Sequence, residues 1–143
     1  MKTESVRLAQ VTAFERLQPQ LEALWRELKE LSRKKADSPL NKFKVKLINE
    51  KLELANSLLG GESKPFKDFD LFDVDDLPTA SDTVILVSQY LESLETWRSM
   101  RIVYDHEELE WYWNTKGAEA EVSIKTKAPA RSHVEDSDED ENN

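Results

Sequence analysis

Leu17, Leu21, Leu24, Leu28 and Leu31 follow one another at steps of four, three, four and three residues, and Phe14 extends the row backwards by three. At 3.6 residues per turn this spacing draws one narrow apolar stripe along a helix. A stripe of that width needs another helix to cover it, as in coiled-coil packing. The feature dictates assembly rather than chemistry. The five leucines are expected to meet a partner helix, within this molecule or outside it.

The first helix is expected to open at Thr3, an N-cap residue type, and to run to Lys35. Pro19 lacks a backbone donor and crowds the preceding turn, so a kinked helix or two helices nearly in line are expected. After Ala36–Asp37–Ser38, Ser38 followed by Pro39 reads as an N-cap with proline at the first helical position. The second helix then spans Pro39 to Leu59, and Gly60–Gly61 supplies a left-handed stop. Its apolar positions, Leu40, Phe43, Leu47, Ile48, Leu52, Leu54, Ala55, Leu58 and Leu59, form a stripe wider than a coiled-coil seam. The short connection makes the two helices an antiparallel hairpin.

Thr79, with Asp82 three residues on, caps a third helix that runs to Met100. Val84, Val87, Leu91 and Leu94 make its stripe, widened by Ile85, Leu86, Tyr90 and Trp97. Beyond Tyr104 the period drops to two. Leu109, Trp111 and Trp113 alternate with polar residues, as do Ala118, Ala120, Val122 and Ile124, on either side of Thr115–Lys116–Gly117. That pattern reads as a β-hairpin packed through its tryptophans, with a helix over 105–116 as the competing reading. The expected fold is therefore mainly α: three long helices in a small bundle, with a C-terminal β-hairpin. One domain covers residues 1–127, and a disordered acidic tail covers 128–143.

Charge divides unevenly along the chain. It is +4 over residues 1–60 and −13 over 61–143, within a net −9. The acidic total argues against a general nucleic-acid binder, whose affinity comes from phosphate attraction. Arg33, Lys34, Lys35, Lys42, Lys44 and Lys46 form a basic patch around the first turn. The chain contains no cysteine, which removes thiolate metal sites and disulfides and favours an intracellular setting; the nucleus is expected ahead of the cytosol. No apolar run reaches membrane-spanning length.

Residues 61–79, GESKPFKDFDLFDVDDLPT, read as a non-helical strap, because a plain linker would not carry so many large apolar groups. Phe66, Phe69, Leu71 and Phe72 are its candidate partner-binding residues. Leu71–Asp75, LFDVD, resembles the clathrin-box type of docking peptide. Read as a calcium loop from Asp68, the segment has Phe72 at position five, Asp73 where glycine is needed and Thr79 in place of glutamate, so that reading fails.

Catalytic residues, a metal site and a cofactor are not expected. His106 has Asp105, Glu107 and Glu108 beside it but no nucleophile motif or phosphate loop. Ser132 and Ser137, each followed by acidic residues, are candidate phosphorylation sites. The sequence thus points to a non-catalytic helical subunit or adaptor of a eukaryotic multiprotein complex, with protein partners as homo- or hetero-oligomers. It points to no membrane span and no small-molecule substrate. The alternative is an acidic chaperone that holds basic or groove-bearing partners through the 66–77 strap and the 132–143 tail.

Overall fold

The computed structural model describes residues 3–115 and 123–130. Helix α1 spans Leu8–Lys34, α2 spans Lys42–Ser63 and α3 spans Ala80–Ser99; strands β1, Ile102–Asp105, β2, Glu110–Trp113, and β3, Lys125–Thr126, follow. The mainly α reading holds. The chain divides into two compact units, residues 9–94 and residues 1–8 with 95–143, where the sequence suggests one domain over 1–127. Candidate residues Ser132 and Ser137, the tail beyond residue 130 and the hairpin positions 116–122 lie outside the described residues.

The leucine stripe folds as a helix as expected, with corrections at the starts of α1 and α2. Helix α1 starts at Leu8, not Thr3, and runs through Pro19 as one helix. Proline's missing donor costs one ladder bond but does not split an element whose whole inner face is buried. Val11, Phe14, Leu17, Leu21 and Leu28 are buried there. Helix α2 starts three residues later than expected, behind Asn41, whose side chain accepts from the Lys44 amide at 2.9 Å. Ser38–Leu40 cannot open the helix because its backbone pairs elsewhere. Leu40 N–H donates to the Pro78 carbonyl at 2.9 Å, and Ser38 O accepts from Ala80 N–H at 3.3 Å. Gly60, at φ 70° and ψ 177°, breaks the helical backbone where the sequence places a left-handed stop, and a further helical turn follows to Ser63.

Helix α3 is capped as expected: the Thr79 hydroxyl accepts from the Asp82 amide at 3.2 Å. Its buried row within the 9–94 unit is Ala80, Thr83, Val87, Tyr90 and Leu94, whereas Ile85 is 62% exposed. Val84 and Leu86 are half-buried beside this row.

The second unit is built on an antiparallel sheet in the order β1-β2-β3. Ile102 pairs with Trp113 and Asp105 with Glu110, while Trp111 pairs with Thr126 and Tyr112 with Lys125. The tryptophan strand pairs with residues 125–126, just past the 118–124 run expected to be its partner, of which 118–122 lie outside the described residues. The strand at 102–105 was not foreseen, and the competing helix over 105–116 does not form. Thr3–Arg7, expected in helix, is not helical. Glu4 N–H donates to Met100 O at 2.9 Å and Val6 N–H to Asn114 O at 2.9 Å, which ties the amino terminus to the sheet. The Arg101 guanidinium adds an ion pair to Glu4 at 2.7 Å and stacks 4.4 Å from the Trp97 ring centroid.

Candidate interaction surface

Helix α2 carries a second apolar row on its outer face. Phe43, Leu47 and Leu54 are 73%, 39% and 49% exposed. With Glu50 they repeat at steps of four, three and four, which confines them to about 60° of the helix circumference. Lys42, Lys44 and Lys46 lie around the first half of this row, and Glu50 and Glu53 along the second. Water-facing apolar groups scattered singly need no account, but three large ones in register on one helix face are a recognisable binding pattern.

The basic patch gathers at the same end. Arg33 and Lys34 close α1, Lys35 begins the connection, and all six basic residues are exposed. Two have acidic neighbours: Arg33 reaches Glu30 at 3.1 Å, and Lys42 reaches Asp75 at 3.6 Å. Exposed pairs of this kind contribute little. Lysine and arginine at the end of α1 also complement its dipole.

The leucine ladder is mostly unavailable to a partner. Leu17, Leu21 and Leu28 are 2%, 0% and 4% exposed within the chain itself, while Leu24 and Leu31 are half-buried. Of the two expected kinds of cover, from within the molecule or from a partner, the internal one applies to Leu17, Leu21 and Leu28. The contact of Lys51 Nζ with Gln20 Oε1 at 2.9 Å fixes the antiparallel register of α1 and α2. Counting outward from that pair sets Leu24 level with Leu47. By the same count Leu31 comes level with residue 40, ahead of the start of α2.

The strap is held by its own unit. Asn49 of α2 clamps the Phe72 backbone in both directions: its Nδ2 donates to Phe72 O at 2.8 Å and its Oδ1 accepts from Phe72 N–H at 2.9 Å. One heptad on, Asn56 Nδ2 donates to Asp70 O at 2.9 Å, and its Oδ1 accepts from the Tyr90 hydroxyl at 2.6 Å. Lys64 Nζ closes the turn on Phe69 O and the Asp70 carboxylate. Phe66, Phe69 and Phe72 meet edge to face at 6.5 and 5.0 Å. Of the four strap candidates, Phe69 and Phe72 are half-buried, and only Phe66 (38%) and Leu71 (42%) remain exposed. Burial holds the Tyr90 hydroxyl above the usual phenol range, a shift its bond to Asn56 partly offsets.

In the sheet unit, His106 packs edge-on to Tyr104 at 4.8 Å, and Tyr104 lies 5.3 Å from Trp111. The Asp105 carboxylate accepts from the amides of Glu107 and Glu108 at 2.8 and 3.2 Å, shaping the β1–β2 turn. Tyr112 donates to Glu108, and that bond pushes its phenol up to about 12. These residues border an open depression of about 600 Å³. Here His106 stacks and Asp105 braces a turn; neither is set against a nucleophile. Among the described residues no group of three or more metal-ligating side chains comes together.

Sequence reasoning missed the most densely bonded side chain of all. Arg98 is 1% exposed. Its Nε and Nη2 grip Glu95 at 2.8 and 2.7 Å. Nη1 donates to Thr126 Oγ1 at 2.8 Å and Lys127 O at 2.7 Å, and Nη2 also donates to Ala128 O at 2.9 Å. All five guanidinium donors are thereby used. The signal was present: Val87, Leu91, Leu94 and Arg98 continue one 4-3-4 row, and a cation in an apolar row must be paired.

Among the described residues no helix is long and apolar enough to cross a membrane. No family model, no curated protein and no solved structure matches this chain.

Proposed function

We propose that this protein is a non-catalytic binding module, a helical subunit or adaptor that joins a protein complex through the outer face of α2. The observation that carries the reading is the in-register row of Phe43, Leu47 and Leu54, exposed on a helix whose other face is fully used. The lysines at its start add attraction for acidic groups. A cysteine-free chain fits an intracellular, nuclear setting.

The test is cross-linking of the full chain in native extract, wild type beside Phe43→Glu/Leu54→Glu. Both substituted side chains face water, so circular dichroism should show unchanged helicity. Wild type should yield adducts, with itself or another protein, that the double variant loses. Identical adducts from both proteins, or none from wild type, would refute the reading.

A further inference from the structure

The outer row of α2 is patterned to fit itself. Its first half carries Lys42, Lys44 and Lys46 and its second half Glu50 and Glu53, all five exposed, while Lys51, also in the second half, is half-buried and reaches Gln20 at 2.9 Å and Glu50 at 4.0 Å. Phe43, Leu47, Glu50 and Leu54 keep the 4-3-4 step of a two-helix seam. Two copies of such a helix laid antiparallel about a two-fold axis bring unlike halves together. The axis passes between residues 48 and 49. Phe43 then lies opposite Leu54 of the second copy, and Leu47 lies opposite Glu50. Lys46 falls between Glu50 and Glu53 of the second copy. Symmetry makes each of these contacts twice. A parallel arrangement would instead stack lysine on lysine and glutamate on glutamate.

We propose that the occupant of this face is a second copy of the chain, docked antiparallel along α2 with Phe43 against Leu54 and Lys46 between the two glutamates. The proposal rests on the reading that this face is a binding surface and names its partner. The row from Phe43 to Leu54 spans only about 17 Å at ~1.5 Å per residue. An interface that short falls below the standard size, so the dimer is a reversible one.

Sedimentation equilibrium of the full chain, at concentrations spreading from roughly 5 to 500 µM, reads the outcome directly. The wild-type mass should rise from 16.6 kDa towards twice that value. Lys46→Glu and Glu53→Lys each set like charges opposite one another and should weaken association at least about fivefold at low salt. The double exchange Lys46→Glu/Glu53→Lys restores opposite charges and should recover most of the loss. Phe43→Glu should hold the chain at 16.6 kDa. Circular dichroism of each variant confirms that it folds. A wild-type mass that stays monomeric throughout, or a double exchange no tighter than either single change, overturns the antiparallel dimer. If the wild type is monomeric yet cross-links to another protein through Phe43 and Leu54, the binding-module reading stands with a different occupant. If it is monomeric and yields no adduct, both fall.

Discussion

Replacing Arg98 by methionine should unfasten the carboxyl-terminal segment. The substitution keeps an unbranched chain of similar length and deletes all five donors. Glu95, whose side chain is only 17% exposed, loses its bidentate partner. Thr126 Oγ1 and the carbonyls of Lys127 and Ala128 lose theirs as well. Removing one partner of a buried ion pair costs about 3–5 kcal/mol. The lower end applies here, because the exposed backbone at Lys127 and Ala128 can turn to water, so a loss of about 3 kcal/mol is expected. Arg98→Lys retains the charge but offers three donors without the planar fork, and should lose about half as much. The two-unit build makes a whole-chain unfolding curve a blunt probe, so the assay is native-state amide exchange. The Ala130 amide donates to Glu95 Oε2 at 3.0 Å, and the Trp113 amide donates to Ile124 O at 3.0 Å. At ~1.4 kcal/mol per tenfold, both should lose about two decades of protection in Arg98→Met. The Val45 amide, in α2, should change little. Protection within threefold of wild type at Ala130 would refute the claim that Arg98 fastens this segment.

Three further outcomes follow from single side chains. Leu109 sits at φ 58° and is 70% exposed, so Leu109→Gly relieves a left-handed strain of about 1–2 kcal/mol against Gly's entropy cost of about 0.5–1. Native-state exchange at the Trp113 amide should slow roughly two- to fivefold, the counterpart of a gain of roughly 0.5–1 kcal/mol, and faster exchange would contradict the assigned turn. Asn49→Ala removes both bonds to Phe72 and should cost about 2 kcal/mol, visible as faster proteolysis within 66–77 at unchanged helicity. Tyr112, with its phenol held at about 12, contributes stability that is whole below pH 10 and fades as pH rises through 12. Absorbance at 295 nm should show its late titration, and Glu108→Gln should bring it down towards 10; an unmoved titration would show that another group holds the proton.

The elements legible in the sequence were those announced by a long period or a side-chain cap. Three helices came from apolar rows, and the start of α3 came from Thr79. Helix ends were less legible, because tertiary backbone pairing decided them. Ser38 and Pro39 are good helix openers by residue type, yet their backbone is taken by the segment leading into α3. Thr3 is likewise drawn to the sheet through Glu4 and Val6. Strand β1 was missed because IVYD is short and only Met100 and Arg101 separate it from α3, with no glycine or proline to mark the boundary. Arg98 and Asn49 were missed for a shared reason: each acts on backbone atoms distant in sequence, and a search for residue patterns does not see carbonyls. What marks such residues is polarity where the surrounding row calls for apolar groups.

A helical period reports that a face is covered and says nothing about what covers it. For α1 the cover is internal, which is why Leu17, Leu21 and Leu28 are not a docking surface. For α2 the width of the stripe was the better guide. Its apolar residues span an arc of about 200° at ~100° per residue, but Val45, Ile48, Leu52, Ala55, Leu58 and Leu59 occupy only about 140° of it. An amphipathic helix docked on one side needs a stripe of about 100° or somewhat more. The remaining 60°, carrying Phe43, Leu47 and Leu54, is surplus to the fold of the single chain. Exposed leucine and phenylalanine in register cost solubility without stabilising the unit they sit on. The exposed charges that bracket this surplus are lysines in its first half and glutamates in its second, with Lys51 turned aside onto Gln20. A solubilising rim has no reason to order its signs by position, whereas a seam that must recognise its own reverse requires that order.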